Sequence, residues 1–264
     1  MQRALQPLLA PRQRPHRRLV IAAALLAAAG SALLLEAVWA GGPVPRVIEV
    51  PFSPAFVKPP GGGEIRARAG QILAPDSTLR TEKPGRIQVL LANGRQFRLG
   101  GDAVLRLGPG DLNLEKGQII AWVNPGQKGG SPLRIRTRVA TASIVGTTVF
   151  IEATADSLKM FSWEGHVRVE TDTGRQVSLR SGEQLSYVNN AWQEPIRLTR
   201  SEASTRRGRS ILLNGFQTPM ETLPVIEREL GISANPTAAT SAAGATPAAG
   251  PAPVAAPSPA PVGR

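Results

Sequence analysis

Between residues 64 and 195 apolar and polar positions alternate. Leu133-Arg-Ile-Arg-Thr-Arg-Val139 sets apolar residues or Thr against arginine without a break. A period of two predicts a strand with Leu133, Ile135, Thr137 and Val139 on one face and Arg134, Arg136 and Arg138 on the other. His166, Arg168 and Glu170 alternate in the same way with Val167 and Val169. Ile87, Val89 and Leu91 lead into Asn93–Gly94, a strong short hairpin signal, and Phe97 and Leu99 follow. Turn residues then recur at Gly100–Gly101, Gly108–Pro109–Gly110, Lys116–Gly117, Pro125–Gly126, Glu164–Gly165, Asp172–Thr173–Gly174 and Ser181–Gly182. Many short strands with no long amphipathic helix between them predict an all-β domain over residues 64–195, built as a sandwich, barrel or solenoid-like form.

The flanks follow other patterns. Residues 1–18 are a basic leader, with Arg3, Arg12, Arg14, Arg17 and Arg18 and no acidic residue. Residues 19–35 carry no charge, and an apolar run behind a cationic flank enters a membrane with its N-terminus inside. Extension to residue 40 reaches spanning length, while Val38–Trp39–Ala40 before Gly41 also has the form of a cleavage site. Residues 19–40 are therefore a transmembrane anchor or a signal segment, and the chain beyond them is expected outside the cytoplasm. Residues 41–63 are rich in Pro and Gly and are expected to be an extended linker. Residues 196–233 are a short helical or connecting segment, with candidate helices at Ser201–Leu213 and Leu223–Leu230, the second closed by Gly231. Residues 234–264 contain little except Ala, Pro, Ser, Thr and Gly and are expected to form a disordered tail.

Charge and chemistry narrow the function classes. The net charge of +12 is spread along the chain, and aromatic residues make up 4% of it. Nucleic-acid binding needs clustered cations and stacking platforms, so no nucleic-acid partner is expected. There is no cysteine, which removes disulfides and thiolate zinc sites. Of the two histidines, His16 lies in the leader and His166 on a predicted strand, so the common triad and metal sets cannot be assembled. No catalytic, cofactor or metal-binding residue is assigned, and the chain is read as non-enzymatic. The carboxylates Asp102 with Asp111, and Glu164 with Glu183, are not separable from solvated turn residues by spacing.

One feature points to binding. Arg134, Arg136 and Arg138 stand about 7 Å apart on one strand face, a spacing suited to a polyanion such as an acidic glycan or a lipid headgroup. The competing reading pairs them with acids on a neighbouring strand. Trp122, Trp163 and Trp192 are either core anchors or a sugar-stacking set.

Residues 66–195 carry an ordered set of motifs that resembles the FecR domain family. The set is Leu79-Arg-Thr81, then Ile87-Gln-Val-Leu-Leu-Ala-Asn93-Gly94, then Leu112-Asn-Leu-Glu-Lys-Gly117. Ile135-Arg-Thr137 leads on to Ile144-Val145-Gly146-Thr147 and Phe150, and Trp163-Glu164-Gly165 and Ser181-Gly182-Glu183 close the set. The resemblance implies an elongated β-roll or solenoid-like fold in which these residues are architectural. It also implies a bacterial inner-membrane location with the bulk in the periplasm, or a periplasmic or secreted protein if the signal is cleaved. Family members that regulate iron-uptake signalling carry a cytoplasmic domain for a sigma factor, and residues 1–18 are too short for one. The first reading is therefore a binding or scaffold module that engages an envelope protein or anionic glycan through its β-surface. The alternative is a transmembrane signalling regulator acting on a sigma factor.

Overall fold

Two twelve-residue antiparallel strands, β6 (Gln96–Leu107) and β7 (Asp111–Trp122), form the spine of the fold. They are joined at Gly108–Pro109–Gly110, where Pro removes a ladder donor and the glycines permit the turn. The computed structural model describes residues 44–124 and 131–232. The leader, the candidate span at 19–40 and the tail at 234–264 lie outside the described residues. No helix among the described residues is long and apolar enough to cross a membrane.

Both long strands change partner along their length. Strand β7 pairs antiparallel with β10 (Thr148–Ala153) over Gly117–Trp122, and parallel with β8 (Leu133–Arg136) over Asp111–Asn113. Strand β6 pairs with β5 (Arg86–Leu90) near its start and with β4 (Thr78–Thr81) near its end. The β6–β7 register slips between Gly100 and Leu105, where Gly117 has φ +91°. A Cβ at Gly117 would overlap the Ala103 backbone, so this bend admits only glycine.

The described strands form one sixteen-stranded sheet. On one side of β7 lie β8, β9 (Ala140–Ile144), β12 (His166–Thr171) and β13 (Gln176–Arg180). On the other lie β10, β11 (Ser157–Glu164), β14 (Glu183–Val188) and β15 (Ala191–Trp192), with β16 (Ile196–Arg197) also on β14. Ile135, Ile144, Val167 and Leu179 from the first arm share one apolar core with Val149, Ile151, Met160 and Leu185 from the second. Strand β13 lies against β11 and β14 without a ladder, so the two arms face each other across that core.

A second core covers the outer face of the β7–β10–β11 arm. Ile120, Trp122, Phe161 and Trp163 are buried there by Leu212, Leu213, Met220 and Ile226. The helical segment consists of α1 (Arg200–Arg209), α2 (Ile211–Asn214) and α3 (Leu223–Leu230), and α2, α3 and the turn between them supply those four residues. Thr199 and Glu202 form a capping box that starts α1, and Gly231, at φ +61°, ends α3.

Three expectations are corrected. Part of the expected linker at 41–63 belongs to the sheet: β1 (Arg46–Phe52) pairs with β5, and β2 (Ala55–Lys58) pairs with β4 and with β3 (Ile65–Arg66). Val47, Ala55 and Val57 are buried in the main core, so apolar burial outweighs the cost of prolines at these edge positions. The strand expected through Val139 stops at Arg136, because Thr137 N–H and Oγ1 both donate to Ala140 O and turn the chain into β9. The helix expected over 201–213 is two helices, since Ser210 ends α1 and caps α2 by accepting from Leu213 N.

Candidate functional site

The first arm turns a polar face outward. Across its strands Arg134 stands opposite Ser143, Ser143 opposite Arg168, and Arg168 opposite Ser178. The adjacent row is Arg136, Thr141, Glu170 and Gln176. Arg136 Nε contacts Asp111 Oδ2 at 2.5 Å, and Arg138, displaced into the β8–β9 turn, donates to Ala155 O at 2.8 Å. Arg134 and Arg168 have neither an ion pair nor a side-chain hydrogen bond among the described residues. The paired reading of the arginine row holds at Arg136, whose acid partner lies on β7, while Arg134 is left without an ion pair among the described residues. The structure adds Arg168, whose strict alternation was visible in the sequence although its alignment with Arg134 was not.

The helical segment is fastened to the β6–β7 spine and to β1 by polar groups, with Arg98 fully buried among them. Arg98, 1% exposed, donates to Leu212 O at 2.9 Å and Thr218 O at 2.6 Å. Its guanidinium also lies 4.3 Å from the Phe216 ring centre and 5.3 Å from that of Trp122. Burial lowers its pKa to about 10, against the opposing charges of Glu49 and Glu221. Glu49 accepts from Gln217 N and Thr218 N at 2.8 Å each. Burial works to raise the Glu49 pKa, but these bonds and Arg98 hold it below the usual range. Glu221 accepts from Gln96 Nε2 and from Trp122 Nε1, both at 2.9 Å.

Thr148, beside the buried Glu164, is the other fastening point. The Thr148 hydroxyl lies 2.9 Å from Glu164 Oε1 and 2.8 Å from Thr222 Oγ1. Burial raises the Glu164 pKa to about 7; the Thr148 bond opposes the shift and the charge of Glu229 adds to it. Glu229 in turn accepts from Gly165 N at 3.1 Å and from the Ser181 hydroxyl. Beside this contact, a cleft of about 700 Å³ separates α1 from the sheet, lined by Phe150, Leu198, Ile211 and Arg206 among others.

The motif residues occupy turns and joints. Asn93 and Gly94 make the β5–β6 turn, with Arg95 N donating to Asn93 Oδ1. Gly117 sits at the spine's bend, and Thr137 forms the β8–β9 turn. Val145 and Gly146 form an exposed turn, from which Thr147 Oγ1 donates to Val145 O and His166 O. Gly165 packs on Thr147 and donates to Ser181 Oγ at 2.9 Å, so the Val145–Thr147, Glu164–Gly165 and Ser181–Gly182 turns converge. Glu183 accepts from Arg180 N, and Phe150 is half-buried on the outer face.

Residues 77–168 match the family model described as FecR protein. That segment is a FecR-type β-region. The matched segment runs from β4 into β12 and so includes the spine, Arg98, Arg134 and Arg168. Two crystal structures from Parabacteroides distasonis, each described as a "putative anti-sigma factor", are similar to this chain. One has 22% identity over 46% of this chain and 58% of that chain, with a TM-score of 0.40. The other has 23% identity over 43% and 55%, with a TM-score of 0.37. The chain thus spans just over half the length of these solved chains. No curated protein matches the sequence.

The other candidates are separated or buried. Asp102 pairs with Lys83 and Asp111 with Arg136, so the first carboxylate pair does not form a joint site. Glu164 faces Glu229 through the turn at Gly165, while Glu183 caps Arg180. Trp122 and Trp163 are each 1% exposed and cannot stack on a sugar, whereas Trp192 packs on Tyr187 and donates to Asp172 at 3.3 Å. His166 is exposed at the start of β12, opposite Arg180. Among the described residues no group of His, Cys, Asp or Glu is arranged to hold a metal. Sequence reasoning missed Arg98, because an arginine in an alternating strand reads as solvated until the helical segment is seen to cover it.

Proposed function

We propose that this chain is a signalling regulator of the bacterial envelope that works by binding rather than by catalysis. The observation that carries the reading is the FecR match over residues 77–168, which favours the regulator over the plain scaffold module. In this reading residues 19–40 hold the chain at the inner membrane, the β-domain adopts the elongated roll form in the periplasm, and the output is control of a sigma factor. The helical segment supplies the element that a signal can move. It is seated by hydrogen bonds at Arg98, Glu49 and Glu221 and by the buried Thr148–Thr222 contact beside Glu164, which are lost together when the segment lifts.

The test is a comparison of transcript profiles in the native host with the full chain, with the chain deleted, and with residues 64–232 deleted. A discrete set of transcripts that changes on both deletions and returns with the full chain supports the regulator. Profiles that stay the same in all three strains return the protein to the scaffold reading. An alkaline phosphatase fused after residue 232 checks the compartment: activity is expected, and an inactive, stable fusion contradicts the periplasmic placement.

A further inference from the structure

The row Arg134, Ser143, Arg168 sets two long cations on either side of a short hydroxyl. Adjacent strands lie about 4.8 Å apart, so the two arginine Cα atoms stand roughly 10 Å apart on one face. Long side chains flanking Ser143 and Thr141 leave a hollow of about 620 Å³, with Arg136, Glu170 and Gln176 on its rim. Asp111 holds Arg136, but Arg134, Arg168 and the hydroxyls of Ser143 and Thr141 make no side-chain hydrogen bond among the described residues. Two exposed arginines flanking a short residue are suited to a planar acid group that accepts paired hydrogen bonds.

We infer that this hollow binds a saccharide carrying an isolated carboxylate. The acid group sits over Ser143 between Arg134 and Arg168, and sugar hydroxyls meet Thr141, Glu170 and Gln176. The charge pattern selects this ligand. Glu170 and Asp172 share the hollow with the arginines and repel a continuous polyanion, but a carboxylate such as Glu170 accepts hydrogen bonds from neutral hydroxyls. An added peptide strand is excluded because β8, β9 and β12 each have a partner on both edges. The site is independent of the signalling reading: a binding assay decides one and transcript profiles decide the other.

The experiment titrates the full-length chain in detergent with cellobiouronic acid, a disaccharide with one carboxylate, and follows amide shifts by NMR. Its neutral counterpart cellobiose and inorganic phosphate are titrated in parallel. Saturable binding of the acid sugar is expected with a Kd on the order of 1 mM or tighter, with shifts centred on β8, β9 and β12. Arg134→Gln and Arg168→Gln should each weaken it roughly tenfold, while Arg106→Gln, on β6 outside the hollow and paired with Asp76, changes it less than about threefold. Phosphate binding as tight as the sugar would mean a simple anion site and overturn the saccharide assignment. Equal binding of cellobiose, or no saturable binding of the acid sugar by the folded chain, would overturn it as well.

Discussion

At the scale of single residues, burial decides which charged groups matter. Arg98 sits under the helical segment with its donors spent on the backbone carbonyls of Leu212, Leu213 and Thr218. Arg98→Met keeps much of the volume but strips these carbonyls of their partner and leaves Glu49 without its nearest cation. A loss of about 3 kcal/mol is expected. It should appear as faster hydrogen exchange over residues 211–220, with the β8–β9–β12 ladder unchanged. Glu164 acts in the opposite sense. Its folded pKa of about 7 lies above the ordinary carboxylate value, so the folded state holds a proton that the unfolded chain has already released. Stability contributed by protonated Glu164 is complete below about pH 4.5 and is lost as pH rises through about 7. Glu164→Gln should flatten that fall and melt higher than the wild type at pH 8, by an amount equivalent to ~2 kcal/mol. Thermal melts at pH 5 and pH 8 measure this, and a wild type no less stable at pH 8 than the variant would contradict it.

At the scale of elements, bends and turns set where each strand points its side chains. Gly117 combines a left-handed backbone with close approach to Ala103, where β7 passes from β8 to β10. Gly117→Ala should therefore cost about 3 kcal/mol or more, measured by chemical denaturation, whereas Gly174→Ala has open space around it and bears only the conformational part of that cost. The turns were legible in the sequence because glycine, asparagine and proline leave local marks. The Asn93–Gly94 hairpin, the Gly108–Gly110 turn and the Gly231 cap all fall where those marks stand. Strand ends and partners were not. Thr137 continues an unbroken alternation in sequence and still leaves the strand, because its turn bonds to Ala140 compete with the ladder. Nor did local composition reveal that Val47, Ala55 and Val57 join the core, since burial by distant strands overrides the signal of the prolines around them. The arginine face was legible as a row along one strand, but its unpaired members lie across the strands. Register between β8, β9 and β12 is a non-local property.

At the scale of the whole molecule, the two sheet arms carry different outer faces. The first is polar and open, with Arg134 and Arg168 free of ion pairs among the described residues. The second is aromatic and closed, with Ile120, Trp122, Phe161 and Trp163 under the helical segment. Side chains of this size bury about 150–250 Å² for each aromatic ring, so uncovering the face creates an apolar patch larger than a soluble monomer ordinarily exposes. A chain ending at Arg197 keeps all sixteen strands and the main core but loses this cover. That truncated chain is expected to retain its β-sheet circular dichroism while binding a hydrophobic dye strongly and self-associating. The intact protein should do neither, and Arg98→Met should fall between the two. If the truncated chain instead loses its sheet signal, the helical segment is part of the folding core and cannot lift as a unit, which removes the movable element from the signalling proposal. If it keeps the sheet and stays monomeric without binding dye, the aromatic face has collapsed inward. The polar fastenings at Arg98 and Thr148 would then have no apolar surface to guard.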